Sequence, residues 1–255
     1  MNTRLIVTDL TRMQHGRVCI AGYRPDGICI RPVMLPPGVM ETWMYVEGQV
    51  VIRPFAEIEL ELEPTSPEPP HTEDWRIRSG HPTQRRMLNS QEREQFIGSI
   101  LHPDVASIFG IPLHHEGNRY YIPVGEGTRS LGTVGPVQIQ KVELYEDESI
   151  GTRQPYIVFN EKTPRAAEYR LTVTDLVFRY FAHYLRTTCS MNKQAAQNHM
   201  TMLLARPPTQ IYLRIGLARG TWEKHPNCCH VQITGVYSFP DYLDGKCFAD
   251  FEAAL

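Results

Sequence analysis

Residues 57–63 alternate strictly between glutamate and an aliphatic side chain, and this run constrains the fold more than any other feature of the chain. Successive side chains of a β-strand point to opposite faces of its sheet, so Ile58, Leu60 and Leu62 lie on one face and the glutamates on the other. The run therefore predicts a half-buried strand with an acidic outer face. Because its apolar face must be covered, the strand needs further strands or helices around it.

Short strand-like segments joined by turn residues fill the rest of the first 63 positions. Residues 5–7 and 17–23 have the composition of strands, and residues 28–31 return as a third strand. The turn at residues 25–27 has the sequence Pro-Asp-Gly, in which proline presets φ and glycine accepts a positive φ. Several short strands connected by tight turns predict a small β-barrel.

A proline- and charge-rich connection occupies residues 64–84. It is too long for a plain loop in a compact domain, so we expect either a functional loop or a linker. We place the domain boundary within it. The first barrel then covers residues 1–66, and a second barrel with helical insertions covers residues 67–255.

The rest of the chain combines strands with helices, so the predicted class is mainly β with inserted helices (α+β). One helix is predicted after residue 89, where Asn89 or Ser90 can cap the first turn. Along residues 211–217 the aliphatic side chains share one face, which leaves Tyr212 and Arg214 on the other. The further predicted helices lie at residues 175–186 and 192–205, and the further strands at residues 120–122, 137–145, 156–159, 211–217 and 230–237.

Residues 170–176 nearly repeat residues 4–10, since six of the seven positions agree. A duplicated barrel would produce this similarity. Independent use of Thr-Asp to end a strand and cap the next segment would produce it as well. The match leaves both origins open.

The charge balance limits what kind of nucleic-acid binding is possible. The formal net charge is −2 and the pI is about 6.6, so the chain has no global positive field for phosphates. Any such binding must use a local patch. The basic residues are 21 arginines and 5 lysines, and the arginine fork matches phosphates and base edges and stacks on rings. An arginine-rich codon usage would give the same excess.

The start of the chain lacks a signal-peptide pattern, and no apolar run reaches the length needed to cross a bilayer. We therefore expect a cytoplasmic protein without a membrane partner. The six cysteines are then expected to be free thiols.

A zinc site is the first chemistry to consider, because His225, Cys228, Cys229 and His230 lie within six residues and Cys247 is not far away. Structural zinc sites usually pair their ligands at two places along the chain, and here only one short spacing of that kind occurs. A strand over residues 229–237 would also send neighbouring ligands to opposite faces. We therefore predict no metal site.

Catalytic motifs are equally unsupported. Asp241, Asp244 and Lys246 imitate a nuclease motif, but two intervening residues cannot supply the second strand that this chemistry needs. Pro240 and Asp241 fit a turn after a strand instead. The chain contains neither a phosphate-binding glycine loop nor a G-x-S-x-G nucleophile motif. We predict no catalytic residue and no cofactor.

Binding chemistry remains, because single-stranded nucleic acid is held by rings that stack on bases and by cations that follow the backbone. For each ring the alternative is partial burial in the core, and for each arginine a solvated surface or an ion pair with a glutamate. The candidate binding residues are Arg12, Arg17, Tyr23, Arg31 and Arg53 around the first barrel, Trp75, Arg76 and Arg78 in the connection (with His71 beside them), and Tyr212, Arg214, Arg219 and Trp222 in the C-terminal part.

Three groups of segments carry a family resemblance: residues 4–13 with 29–32, residues 69–75, and residues 212–219 with 232–242. Together they resemble the bacterial dual OB-containing domain family. The resemblance spans nearly the whole chain and implies two OB-like small barrels. It also implies nucleic-acid or nucleotide recognition, in a prokaryotic defence context, without established catalysis. It transfers no individual binding residue.

The predicted function is therefore binding of single-stranded or modified nucleic acid, or of a nucleotide, by arginine and aromatic side chains. The near-neutral charge favours a modified base, an end or a small nucleotide over a long, sequence-blind contact. Two alternatives stay open: a nucleic-acid or nucleotide hydrolase whose site assembles from distant residues, and an adaptor with a protein partner.

Overall fold

The computed structural model describes residues 2–147, 152–162, 167–219 and 225–254, which are mainly β with three α-helices. The strands are β1 (Asn2–Arg12), β2 (Val18–Tyr23), β3 (Cys29–Val33), β4 (Tyr45–Val46), β5 (Gln49–Val50), β6 (Ala56–Pro64), β7 (Asp74–Met87), β8 (His114–Glu116), β9 (Arg119–Pro123), β10 (Leu131–Asp147), β11 (Thr152–Asn160), β12 (Glu168–Thr172), β13 (Gln210–Ala218) and β14 (Cys228–Phe239). The helices are α1 (Ser90–Ser99), α2 (Leu176–Thr187) and α3 (Lys193–Ala205).

Five strands form a closed barrel in the order β1-β2-β3-β7-β6. All neighbours are antiparallel except β3 and β7, which run parallel. Ile58, Leu60 and Leu62 of β6 are buried in the barrel core, which confirms the half-buried strand predicted from the alternation. This five-stranded arrangement is the OB-type barrel.

Strand β7 closes this barrel, although it begins after the predicted boundary between residues 66 and 67. Its outward positions carry arginines opposite the glutamates of β6, and it includes Pro82. These polar positions and the proline are the reason that the sequence predicts a connection, and not a strand, at residues 74–84. The barrel therefore uses residues on both sides of that predicted boundary.

The second unit is a seven-stranded sheet in the order β12-β11-β10-β13-β14-β9-β8. Val173, directly after β12, forms a parallel bridge to Ile233 in β14. The strands β10, β11, β12, β13 and β14 thus repeat the chain order and pairing of β1, β2, β3, β6 and β7. The sheet curls into a half-barrel, so the two OB-like units predicted from the resemblance are confirmed.

The two similar seven-residue segments occupy different places in these units. Residues 4–10 lie in the first strand of the first barrel, whereas residues 170–176 run from the third strand of the second unit into α2. The similarity therefore does not align equivalent strands. Instead the segments adjoin in space, because the N–H of Arg12 donates to the carbonyl oxygen of Thr174 at 2.8 Å.

The helices begin where their capping residues predict. Asn89 caps α1 and exchanges hydrogen bonds with Glu92, Asp175 caps α2, and Asn192 caps α3. The starts of α1 and α2 both border the cavity described below. None of the described helices combines the length and apolar character that a membrane-spanning helix requires.

Candidate functional site

The outer face of β2 and β3 is buried against the second unit. Arg214 of β13 is 0% exposed and packs onto this face. Its Nε and Nη2 donate to Oδ2 of Asp9 at 2.9 and 2.8 Å, and its Nη1 donates to the Tyr23 hydroxyl at 3.0 Å. OB barrels bind their ligands on the face of their second and third strands. In this chain that face of the first barrel is closed, and Arg214 and Tyr23 are sealed within the interface.

A second buried ion pair lies on the same face. Arg31 is 4% exposed, its Nε donates to Oδ1 of Asp74 at 2.6 Å, and its Nη1 donates to Oγ of Ser130 at 3.2 Å. Arg219 contacts the other oxygen of the same carboxylate and stays half-exposed. Both arginines therefore have a carboxylate partner, which is the alternative that the sequence left open for them.

Arg76 and Arg78 lie on the opposite, solvent-facing side of the first barrel. Arg76 is 3.5 Å from the Glu63 carboxylate, and Arg78 is 3.4 Å from Glu63 and 3.8 Å from Glu61. Exposed pairs of this kind contribute little to stability, but they neutralise the charge that a phosphate would meet. This face is a mixed ladder of both charges.

The other predicted binding residues are dispersed. The guanidinium of Arg24 lies 5.5 Å from the ring of Trp75, and that of Arg12 lies 5.9 Å from the ring of Tyr180. Arg17 donates to the carbonyl oxygen of Gln14 at 3.1 Å. Tyr212 is buried in a small cluster with Phe55 and Tyr237, His71 is buried, and Trp222 lies outside the described residues. The described part of the chain does not bring the predicted residues into one groove.

A cavity of about 560 Å³ lies at the junction of the two units. Of the predicted binding residues that the structure describes, Arg53 is the one that lines it. The wall combines the loop before β6, the first turn of α1, the start of α2, and the end of β14 with the turn that follows it. Its principal residues are Arg53, Phe55, Ser90, Gln91, Arg93, Glu94, Asp175, Tyr237, Phe239, Asp241, Tyr242 and Lys246.

Three cations of the described wall surround this cavity. Nη2 of Arg53 donates to the carbonyl oxygen of Gly245 at 2.9 Å, and Nε of Arg93 donates to that of Leu88 at 2.9 Å. Nη1 of Arg93 lies 3.6 Å from Oδ2 of Asp241. Burial lowers the pKa of Arg93, and Asp241 partly offsets this effect. Lys246 is exposed at the rim and forms no ion pair among the described residues.

Aromatic rings form the apolar part of the wall. The ring centroids of Phe55 and Tyr237 are 4.6 Å apart, and the Arg93 guanidinium lies 5.3 Å from the Phe55 ring. Phe239 and Tyr242 line the cavity and are partly buried, and the Tyr242 ring also packs against Phe178 and Phe181. The cavity thus joins aromatic side chains to cations.

Three carboxylates complete the wall, namely those of Glu94, Asp175 and Asp241. Asp241 accepts the N–H groups of Leu243 and Gly245, each at 3.0 Å, which confirms the turn predicted after β14. Asp175 is buried, and its oxygens accept the N–H groups of Phe178 at 3.1 Å and Val236 at 2.7 Å. Burial raises the pKa of Asp175 to about 7, because the N–H groups of Phe178, Val236 and Val177 compensate desolvation only in part.

A family model described as a dual OB-containing domain matches residues 4–236. The chain belongs to this family. No curated protein matches it. In this dual OB protein, the part of the cavity wall contributed by residues 238–247 follows the matched stretch.

The residues of the zinc pattern in this dual OB protein have separate surroundings. His225 contacts the Glu116 carboxylate at 2.7 Å, whereas Sγ of Cys229 faces Nε2 of His71 at 3.8 Å. Cys247 lines the cavity at the junction. Within the described ranges, no three His, Cys, Asp or Glu side chains converge as metal ligands.

Sequence reasoning missed Arg93, Asp175, Phe239, Tyr242 and Lys246 as wall residues. Local signals did locate the helix starts at residues 89 and 175 and the turn after β14. Those signals report contacts within a few residues. They do not reveal that the three places meet around one cavity of the dual OB protein.

Proposed function

We propose that this dual OB protein binds a phosphorylated nucleoside, either a free nucleotide or the terminal nucleotide of a single strand, in the cavity between its two units. The observation that supports this proposal most is the combination of three cations with partly buried aromatic side chains around one cavity of about 560 Å³. Pockets for small organic ligands have volumes of about 300–1,000 Å³. A cavity of this size suits one nucleotide better than a long strand.

The cationic side of the cavity suits a phosphate group. Arg53 donates to a carbonyl oxygen and not to a carboxylate, so its charge is not neutralised by that contact. Ser90 and Gln91 belong to the first turn of α1, and the first N–H groups of a helix lack intrahelical acceptors. Helix starts favour anions for this reason and because of the helix dipole.

The aromatic side of the cavity suits a nucleobase. Phe239 and Tyr242 line the wall and are only partly buried. A base stacked on an aromatic side chain gains about 1–3 kcal/mol. Rings and cations on one wall can therefore hold the two ends of a nucleotide at the same time.

The charge of the whole chain is consistent with this small ligand. A net charge of −2 gives no long-range attraction for a polyanion, whereas a single phosphate needs only the local cations. The family resemblance adds a prokaryotic defence context to the proposal, and the absence of a signal-peptide pattern at the start of the sequence adds a cytoplasmic location. The proposed partner is thus a nucleotide or a nucleic-acid end, bound without turnover.

The test is isothermal titration of the purified chain with mononucleotides and with short single strands that carry or lack a 5′-phosphate. Arg53→Ala and Lys246→Ala are expected to weaken binding at least about tenfold each, because each removes a charge-assisted contact. Arg78→Ala is the matched control, since it removes an arginine from the ion-paired outer face. Binding lost in Arg78→Ala and kept in Arg53→Ala would place the ligand on the outer face instead.

Titration with the single-stranded oligonucleotides distinguishes a free nucleotide from the terminal nucleotide of a nucleic-acid strand. A terminal nucleotide requires that the 5′-phosphorylated strand binds and that its unphosphorylated form binds more weakly. A free nucleotide requires that mononucleotides bind and that strands do not. If neither class binds, the proposal is wrong.

A further inference from the structure

Asp175 differs from the chemically similar Asp9 in one respect that concerns the cavity. Both follow a threonine and both are buried, at 4% and 1% exposure. Asp9 is neutralised by Arg214 and also accepts the hydroxyls of Thr8 and Thr234 at 2.7 and 2.5 Å. Asp175 has no cationic partner in the part of the chain that the structure describes, and it lines the cavity. A buried acid without a cation beside a binding cavity is a candidate for ligand recognition.

The Asp175 carboxylate has acceptor capacity to spare. A carboxylate offers about four acceptor sites on its two oxygens. The N–H groups of Phe178 and Val236 occupy one site on each oxygen, and the N–H of Val177 also interacts with the carboxylate. The nearby Tyr237 hydroxyl donates elsewhere, to the carbonyl oxygen of Thr8. A ligand that brings hydrogen-bond donors into the cavity can therefore reach a group that is costly to bury without partners.

The nucleobases differ in the donors that they could offer to such a carboxylate. Guanine carries an N1–H beside its N2 amino group, so it presents two adjacent donors that match two carboxylate oxygens. Adenine and cytosine place one amino donor beside a ring-nitrogen acceptor, and uracil places one N–H between two carbonyl acceptors. An acceptor facing a carboxylate is repelled, so guanine is the base that fits.

We infer that Asp175 selects the base, so that the cavity prefers guanine nucleotides over those of adenine, cytosine and uracil. This inference rests on the proposed nucleotide function and assigns its base. The cations Arg53 and Lys246 then hold the phosphate, and the rings of Phe239 and Tyr242 accept either purine without selecting between them.

The test is titration of the intact chain at pH 8 with GMP, AMP, CMP, UMP, IMP and N1-methyl-GMP. The wild type is expected to bind GMP at least about tenfold more tightly than AMP, since a bidentate base contact discriminates on this scale. IMP lacks the N2 amino group and N1-methyl-GMP lacks the N1–H, so both should bind more weakly than GMP. These two ligands test the inference on the unmodified protein.

The matched variant is Asp175→Asn, because asparagine caps a helix about as well as aspartate does. It should reduce the preference for GMP over AMP to less than about threefold, by weakening GMP and by relieving the repulsion of AMP. A role limited to capping α2 would leave the preference intact. Arg53→Ala should weaken all the nucleotides by the same factor.

Two failures are distinguishable. If the wild type binds all the mononucleotides alike, base selection by Asp175 is overturned and the proposed function stands. If it binds GMP and N1-methyl-GMP equally, the contact with the N1–H is overturned in the same way. If no nucleotide or phosphorylated strand binds, the proposed function falls and this inference falls with it.

Discussion

Buried charges between the two units are the residues at which a single substitution should do most damage. Asp9→Ala removes the carboxylate from Arg214, whose guanidinium is 0% exposed. Breaking a buried pair in this way costs about 3–5 kcal/mol, because an uncompensated charge remains in the interior. We expect Asp9→Ala to lower the free energy of unfolding in urea by this amount. Glu63→Ala, at the exposed pair with Arg78, is the control and should change it by less than about 0.5 kcal/mol.

A small effect of Asp9→Ala would show that water reaches Arg214 from the interface. It would then be wrong to treat the face of β2 and β3 as closed, and the arginines predicted there from the sequence would return as ligand contacts. The comparison with Glu63→Ala isolates the effect of burial, since both variants remove one carboxylate that faces an arginine.

His71 should give the stability a dependence on pH. Burial, together with Arg31 and Arg219, lowers the pKa of His71 from an ordinary 6.5 to about 3. The unfolded chain then takes up a proton near pH 6.5, whereas the native chain does so only near pH 3. The stabilisation is therefore fully present above pH 6.5 and is lost as the pH falls through that window. Between pH 7 and pH 5 the wild type should lose about 2 kcal/mol more than His71→Gln does, as measured by urea unfolding. Equal losses would mean that His71 protonates in the native state near its ordinary pKa.

At the scale of the element, the sequence predicted what depends on neighbours along the chain. The caps Asn89, Asp175 and Asn192 were recognisable because the side chain of each accepts a hydrogen bond from the backbone N–H three residues later. The strand over residues 211–217 was recognisable from its alternation. The burial of its second face could not be predicted, because Arg214 pairs with Asp9, which lies 205 residues away in the sequence. The cavity could not be predicted for the same reason, because residues 53, 93 and 246 are distant in sequence and share no local pattern.

The pairing of β1 with β2 depends on a glycine. A Cβ at Gly22 would lie closer to the carbonyl oxygen of Ile6 than any real contact allows, so the two strands would have to move apart. We expect Gly22→Ala to lower stability by about 1–3 kcal/mol in thermal or urea unfolding. Gly98→Ala in α1 is the matched control, because nothing lies near its Cβ position and alanine favours a helix. The control should be neutral or stabilise by up to about 1 kcal/mol. If Gly22→Ala were as mild as the control, β1 and β2 would be less tightly apposed than described.

At the scale of the whole molecule, the two OB-like units are joined through polar groups that neither one can satisfy alone. Arg214 of the second unit needs Asp9 of the first, and Arg31 of the first donates to Ser130 at the start of the second. Separating the units would leave Arg214 and Asp9 unpaired and would remove Ser130 from Arg31, so we expect the units to unfold together. Tryptophan fluorescence, to which Trp43 and Trp75 of the first unit contribute, should follow the same urea transition as circular dichroism of the whole chain. Two resolved transitions would show that the interface is weaker than its buried ion pairs indicate.

Cooperative unfolding makes ligand binding visible in the stability of the entire chain. The cavity takes its wall from both units, so a ligand that fills it binds the folded state and has no site in the unfolded chain. At a concentration of about 100 times its Kd, such a ligand adds about 2.7 kcal/mol. For a chain of this size that corresponds to a rise in Tm of roughly 5–10 °C. With GMP at the concentration that shifts the wild type, Arg53→Ala should show at most about half of the shift, because a tenfold weaker Kd leaves about 1.4 kcal/mol of stabilisation, whereas Arg78→Ala should keep the whole shift. A shift retained in Arg53→Ala and lost in Arg78→Ala would mean that the ligand stabilises one unit from its outer face, and the junction would then have only a structural role.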